Sequence, residues 1–526
     1  MGELVSLEEA VRGIPAGALI TFGGFQLNRA PMTLVRELIR QERRGLRVVT
    51  LPNPLPIDLL VGAGMVDEAE FGFIGFQFED GFAVAPNLRR AIQDGALSFK
   101  ERDVYELIQG LRAAAMGLPF LAAPGCERSD YRWENGTVCL SIADGEEVPV
   151  VEPIRPDVAL IHAQEADRSG NLGITDPYAE PLLARAGAGG GAAAGRGGGR
   201  GGSPAVSGAR VSHVVDAPRG AYPTGCHRHY RHDAAHLRAY LKLSSDGRFE
   251  EYRRVIESGS VIDAFPGRPD DGERTTADRA GGAEPAAADR LVVGMARCIE
   301  DGDVVTTGVA SALPMLAVAL ARATRAPRLT YINCVGAVNP RIERASFTSV
   351  DVDLLDACEA RVTLPELFDM ARQGRIDTMF FGAAQVDAEA RINLTCIGGY
   401  RKPRVKLPGP AGSSSMRAYV PRVLLFVPHH TPRTMVLRVD FATAMASPRN
   451  RETLLVSDKA LMRLEGGRLR LASRHAGVAP DDLRKGTGFP LEGDWSAVTP
   501  EPTPDEMAAL GRLDPDGLRH RIIGGG

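Results

Sequence analysis

Two periodicities alternate along this chain. Short apolar runs closed by glycine or proline are followed by longer stretches in which apolar residues recur every three or four positions. The first kind predicts buried strands and the second amphipathic helices. SLEEAVRG (6–13) predicts a helix with Ser6 and Glu9 at capping-box spacing. IPAGALITFGGF predicts a strand ending at Gly23-Gly24, and MTLVRELIRQ a helix with Pro31 at its start, where a missing N–H costs least. LRVVTL predicts the next strand, closed by Pro52 and Pro54. ELIQGLRAAAMGL (106–118) reads as a helix, and DVALIHAQ as a strand that meets the polar run EADRSGN. Strand–turn–helix alternation of this kind predicts an α/β fold with an open, mainly parallel sheet.

The pattern then starts again. Gly17, Thr21 and Gly23 recur with the same spacing as Gly302, Thr306 and Gly308, and Pro31 recurs as Pro314, each opening an apolar helix. DVALIHAQEAD (157–167) recurs in form as DTMFFGAAQVD (377–387). Two homologous α/β halves are therefore expected, 1–265 and 289–526, joined by a polar Pro/Gly/Asp-rich linker over 266–288. Inside the first half, 186–208 is a Gly/Ala-rich low-complexity tract, expected to be a loop because it cannot bury a core. Order returns at ARVSHVVDAP and the helical AHLRAYLK.

Composition narrows the function classes. The chain has 526 residues, 44% hydrophobic and 24% charged, with a formal net charge of −4. That is a globular composition without the basic excess that nucleic acid would require, so no nucleic-acid partner is expected. No apolar run is long enough to span a bilayer and no secretory signal pattern opens the chain, so no membrane partner is expected and a cytoplasmic location is. Seven scattered cysteines without a Cys-x-x-Cys pair argue against a disulfide framework and for reducing surroundings. Cys226, His227, His229 and His232 lie near one another but match no closed zinc pattern, so no metal is expected. His429 and His430 read as surface residues.

The candidate chemistry centres on LTYINCVGAV (329–338), a short buried strand that bends at Gly336 and puts Cys334 where the strand ends. Ligands of α/β sheets sit in crevices beyond the carboxyl ends of the strands. On its own a cysteine there reads as buried packing. Three further features of the second half can converge on it: the turn Gly308-Val309-Ala310, the segment GAAQVD with Ala384 and Gln385, and PGPAGSSS (408–415) with Gly409, Ala411 and Gly412. Small residues let backbone N–H groups approach a ligand, and the N–H groups of Ala411 and Gly412 suit an oxyanion. Together with a thiol these point to acyl or thioester chemistry. Glu101 and Asp103, just before a helix, read either as a solvated cap or as carboxylates aimed at the interface of the halves, with the solvated reading ahead.

With those residues laid out, the chain resembles the glutaconate-type, class I CoA-transferases, whose two subunits are themselves related α/β folds. The first half resembles their α subunit through GALITFGGF, LRAAAMGLPFLAAP and HAQEADRSGN. The second half resembles the β subunit through VVTTGVASALP, FFGAAQVD, NLTCIGGYRKPRVKLPGPAG and LRKGTGF. The resemblance implies fused subunits, a small-molecule acyl-CoA as substrate, coenzyme A as part of that substrate with no separate cofactor, and a possible homodimer of fused chains. It also implies another strand where the Gly/Ala tract lies.

One departure bears on activity. The transferases carry a nucleophilic glutamate, in a Glu-Ser-Gly context, in the turn after the second β-subunit strand. Here that turn reads Cys334-Val335-Gly336, and no carboxylate lies between Leu329 and Val338. The exchange is similar to the methylglutaconyl-CoA decarboxylase branch of the family. It implies cofactor-free decarboxylation of a 3-methylglutaconyl-CoA-type substrate on an isovaleryl-CoA route, with Cys334 catalytic. Glu101 matches a carboxylate that hydrolase-like members use. The alternatives are a CoA-transferase or a CoA-ester or C–C hydrolase using Glu101, and an inactive acyl-CoA-binding module.

Overall fold

The structure is a computed structural model and describes residues 2–78, 81–141, 145, 147–187, 189–196, 204–259, 261 and 285–524. In the first half, strands lie in the order Glu3–Leu4, His213–Asp216, Gly189–Arg196, Val158–Ala166, Leu19–Phe22, Leu46–Thr50, Val66–Phe71 and Ser98–Glu101. Every neighbouring pair is parallel, and Leu172–Gly173 adds an antiparallel strand on Val158–Ala166. In the second half the order is Ala360–Arg361, Ala337–Val338, Thr330–Ile332, Val304–Thr307, Thr378–Gly382, Arg422–Val427, Glu452–Ser457, Ala460–Glu465, Arg468–His475 and Val498–Thr499. Its centre, from Thr330–Ile332 to Glu452–Ser457, is parallel, antiparallel strands flank it, and Val498–Thr499 at the edge is parallel to Arg468–His475.

The repeat seen in the sequence is a repeat of hydrogen bonding. The Leu19 N–H donates to Asp157 Oδ2 at 2.8 Å, and the Val304 N–H donates to Asp377 Oδ2 at 2.9 Å. In return Asp157 N–H donates to the Leu19 carbonyl and Asp377 N–H to that of Val304, at 2.7 and 2.9 Å. An aspartate at the start of one strand thus satisfies the first free N–H of its neighbour in each half, which explains why Asp opens both DVALIHAQ and DTMFFGAAQ.

Strand side chains alternate between the two faces of a sheet. Val48 and Leu160 pack on one side of the first sheet with Phe22 and Leu38, whereas Val49 and Ala159 pack on the other. The latter core continues through Leu107, Ile108 and Leu111 of the helix Val104–Met116 into Phe368, Leu316 and Val423 of the second half. The halves therefore share one apolar core. Tyr105 stacks on Phe368 with ring centroids 5.9 Å apart, and Arg112 Nη1 donates to Asp369 Oδ1 at 2.7 Å.

Ser6 and Glu9 form the expected capping box. The helix expected from 106 starts at Val104, because the Asp103 carboxylate accepts from the Tyr105 N–H and caps it. The tract expected to be a loop over 186–208 is corrected in part. Gly189–Arg196 is a strand, parallel to Val158–Ala166 on one side and His213–Asp216 on the other. Ladder bonds need only backbone groups, and the helix Glu180–Ala186 supplies the crossover that a parallel neighbour requires. Residues 188 and 197–203 of the tract, and 266–284 of the expected linker, lie outside the described residues, and a helix begins at Ala287. Among the described residues no helix is long and apolar enough to cross a membrane.

Candidate active site

Cys334 sits in a tight turn at the carboxyl end of Thr330–Ile332. The Gly336 N–H donates to the Asn333 carbonyl at 3.0 Å, and Asn333 Oδ1 accepts from the Ala337 N–H at 2.8 Å, closing the turn into the hairpin strand Ala337–Val338. Gly336 has φ of +87°, and a Cβ there would lie 1.9 Å from the Val362 carbonyl oxygen. Only glycine fits. The adjacent strand is tied in as well: Thr306 Oγ1 donates to the Ile332 carbonyl at 2.7 Å, which sets the Cys334 turn beside the turn Gly308-Val309-Ala310.

Ser349 joins the two turns. Its hydroxyl donates to the Gly308 carbonyl at 2.7 Å and accepts from the Ser311 N–H at 3.2 Å. The Cys334 sulfur lies 4.0 Å from both Ser349 Oγ and its carbonyl oxygen. Cys334 is 6% exposed, and burial pushes its thiol up to about 12. The N–H groups of Val309, Ala310 and Gly412 donate to no protein acceptor among the described residues. Ala310 reaches its position with φ of +60°.

A cleft opens between the halves next to the segment that carries Ser349. Leu27, Asn28 and Tyr230 line it from the first half, and Thr348, Val350 and Asp351 from the second. Cys334 does not line it. The residues on either side of Ser349 do, so the sulfur stands one residue layer behind the wall.

Glu101 is at the carboxyl end of Ser98–Glu101 and is wholly buried, so the solvated reading is corrected. Lys406, from the other half, donates to Glu101 Oε1 at 2.8 Å and to the Thr395 and Leu407 carbonyls at 2.9 and 2.7 Å. Burial pushes the carboxyl up, and the Lys406 ammonium opposes that rise. Among the described residues Oε2 accepts no hydrogen bond within normal distance; the Tyr131 hydroxyl, engaged with Thr395 Oγ1 at 2.5 Å, is near enough to oppose the rise of the carboxyl. Asp103 is equally buried and binds the N–H and hydroxyl groups of both Ser414 and Ser415. Both carboxylates therefore face the second half, because desolvation is tolerable only where a cation or several donors meet them. No contact joins Glu101 to Cys334 among the described residues.

Several expected site residues are committed elsewhere. Ala384 N–H donates to the Asn393 carbonyl, and the Gln385 side chain is shared between Asp440 and Asn393. Gly409 N–H donates to the Leu394 carbonyl and Ala411 N–H to that of Gly72, so neither is an oxyanion donor. The PGPAG loop instead docks on the first half, and a Cβ at Gly409 would meet Glu101 Oε1 at 2.6 Å. Gly412 packs against Phe368. His430 is buried between Ser457 and Thr487, not on the surface, because two hydroxyls satisfy both ring nitrogens. His227 is buried and pairs with Asp356 across the halves. Sequence reasoning missed Lys406, which stands in a run of surface-like basic residues, and Ser349, which stands in the featureless polar FTSVD.

Residues 4–188 and 289–485 match the coenzyme A transferase family. Each half is similar to a different polypeptide of the 3-oxoadipate CoA-transferase of Pseudomonas knackmussii. The chain is 30% identical to one of them over 257 residues, 47% of this chain and 90% of that polypeptide. It is also 30% identical to the other over 240 residues, 43% of this chain and 91% of that polypeptide. The acyl-CoA transferase YdiF of E. coli O157:H7, in its thioester complex with CoA, shares the fold at 14% identity, with a TM-score of 0.70 over 95% of each chain. A variant of the decarboxylase AibA/AibB is 40% identical over 49% of this chain and 98% of the matched one, with a TM-score of 0.48. The match of both halves to the coenzyme A transferase family, with each half similar to a separate polypeptide elsewhere, places this chain in that family, whose members act on CoA thioesters.

Proposed function

We propose that the chain decarboxylates a 3-methylglutaconyl-CoA-type thioester, with Cys334 as proton donor and no cofactor beyond the coenzyme A of the substrate. The observation that carries this reading is the thiol itself. It occupies the strand-end turn, no carboxylate lies between Leu329 and Val338, and burial keeps the thiol protonated. With a thiol that burial pushes up to about 12, the protonated form prevails at pH 7. That disfavours nucleophilic attack on the thioester and favours a neutral acid.

Loss of CO₂ breaks the bond to the γ-carboxylate and sends its electron pair into a dienolate ending on the thioester oxygen. The free N–H groups of Val309 and Ala310 are the donors next to the Ser349–Cys334 cluster that suit this oxygen. The S–H bond of Cys334 then breaks as a C–H bond forms at the γ-carbon that carried the carboxylate, and solvent returns the proton to sulfur. A neutral thiol also spares the substrate carboxylate the repulsion that a second carboxylate would bring. In this reading the acyl group comes from the cleft, displacing the side chains of Thr348 and Val350.

The hydrolase alternative needs Glu101 as a base in reach of substrate, and a buried carboxylate paired to Lys406 is poorly placed for that. The test is purified protein with a glutaconyl-CoA, scored for CO₂, free CoA thiol and acyl transfer to acetate. Cys334→Ser is expected to abolish CO₂ release while leaving CoA-ester binding within a few-fold, since the side chains are close in volume. Full activity in Cys334→Ser removes the thiol from the chemistry. Release of free thiol without CO₂ supports the hydrolase instead.

A further inference from the structure

Ser349 carries no part of the reading above, yet its hydroxyl is the group that meets three partners at once. It is wholly buried, donates to the Gly308 carbonyl, accepts from the Ser311 N–H and faces the Cys334 sulfur. A hydroxyl has one proton to donate. While that proton is on the Gly308 carbonyl, Ser349 Oγ offers only a lone pair to Cys334, so the thiol is the donor in their contact. When the sulfur has lost its proton the arrangement reverses: an anion 4.0 Å from a hydroxyl lone pair and a carbonyl oxygen is unfavourable. A rotation about the Cβ–Oγ bond of Ser349 brings its hydrogen to the sulfur without breaking any covalent bond. The Ser311 N–H remains on Oγ and holds the oxygen in place through the rotation.

We infer that Ser349 is a positioning residue for Cys334, whose hydroxyl turns from the Gly308 carbonyl to the sulfur and steadies it while the proton is on the substrate. The inference rests on Cys334 acting as the proton donor, but the geometry behind it is independent of which acyl group is used. No proton leaves Ser349: the S–H bond breaks, a C–H bond forms, and the thiolate accepts an O–H hydrogen bond until solvent reprotonates it. Ser349 is thus expected to matter for kcat and little for KM.

The decisive readout needs no substrate. Well below the thiol's own ionisation, the rate of alkylation of Cys334 by a small neutral reagent is proportional to its thiolate fraction. It can be followed between pH 7 and 9 by mass spectrometry of the peptide that contains Cys334. Ser349→Ala removes the hydroxyl that favours the thiolate and is expected to slow alkylation about tenfold or more, the usual worth of a hydrogen bond to a charged group. Ser349→Thr keeps the hydroxyl and is expected to restore the rate to within about threefold. In the decarboxylation assay Ser349→Ala should lower kcat by a similar factor with KM nearly unchanged. An unchanged or faster alkylation in Ser349→Ala overturns the inference, since a merely structural serine would leave the sulfur as it is or expose it. Should Ser349→Ala fail to fold, the Thr variant decides: slowed alkylation in folded Ser349→Thr overturns the inference, and a preserved rate supports it. If alkylation behaves as expected but no CO₂ is released from any glutaconyl-CoA, the proposed activity fails and the role of Ser349 toward the sulfur stands.

Discussion

Replacing Lys406 by Met tests the claim that the two halves are held at a buried ion pair. Both side chains are essentially inaccessible, at 1% and 0% exposure, and the ammonium makes three hydrogen bonds that methionine cannot replace. Removing one member of a buried pair costs about 3–5 kcal/mol, because the remaining charge is left without compensation. If the chain unfolds as one unit, about 4 kcal/mol lowers Tm by about 4 °C, and by about twice that if one half unfolds alone. The cost has a pH signature. Glu101 already has a folded pKa raised by burial, and loss of Lys406 raises it further. A carboxyl whose folded pKa exceeds its unfolded one binds more protons when folded, so stability falls as pH climbs from the unfolded to the folded value. Lys406→Met should therefore be least harmful near pH 5, where Glu101 can stay protonated, and most harmful near pH 8. Glu101→Gln with Lys406→Met leaves no buried charge and should recover part of the loss. Urea or thermal unfolding of the three proteins at pH 5, 6.5 and 8 decides it. A pH-independent cost, or a double variant no better than Lys406→Met, refutes the reasoning.

The other expectations are more local. Gly336→Ala drives a methyl into the Val362 carbonyl at a backbone angle that disfavours it, so it should cost about 2 kcal/mol or more in unfolding and disrupt the Cys334 turn. A fully stable, active Gly336→Ala protein would show that the turn tolerates another backbone course. His430, held neutral because burial lowers it to about 3, protonates in the unfolded chain but not in the folded one. Its contribution is intact above pH 6.5 and is lost as pH falls toward 3, at most about 1.4 kcal/mol per pH unit. His430→Gln should flatten that part of the stability–pH curve, and an unaltered slope would contradict it.

The local pattern was enough for much of the architecture. Apolar runs ending in glycine, helix starts such as Ser6 and Pro31, and the recurrence of DVALIHAQEAD as DTMFFGAAQVD all depend on near neighbours in the chain, so they are legible without a fold. The strand-end position of Cys334 and the turn at Gly336 belong to the same class, whereas the Val362 carbonyl that leaves room only for glycine there comes from a distant segment. What tertiary structure decided were the partners. Glu101 and Asp103 looked like a solvated cap because their partners Lys406, Ser414 and Ser415 are some three hundred positions away. Ala384, Gln385, Gly409 and Ala411 looked free because nothing local shows that a distant carbonyl or side chain takes up their polar groups. The Gly/Ala tract looked unstructured because its composition lacks a core, yet a sheet with an open place beside Val158–Ala166 needs only backbone to fill it. Burial and hydrogen bonding are set by which segments meet in space, and a sequence read in order carries that information only weakly.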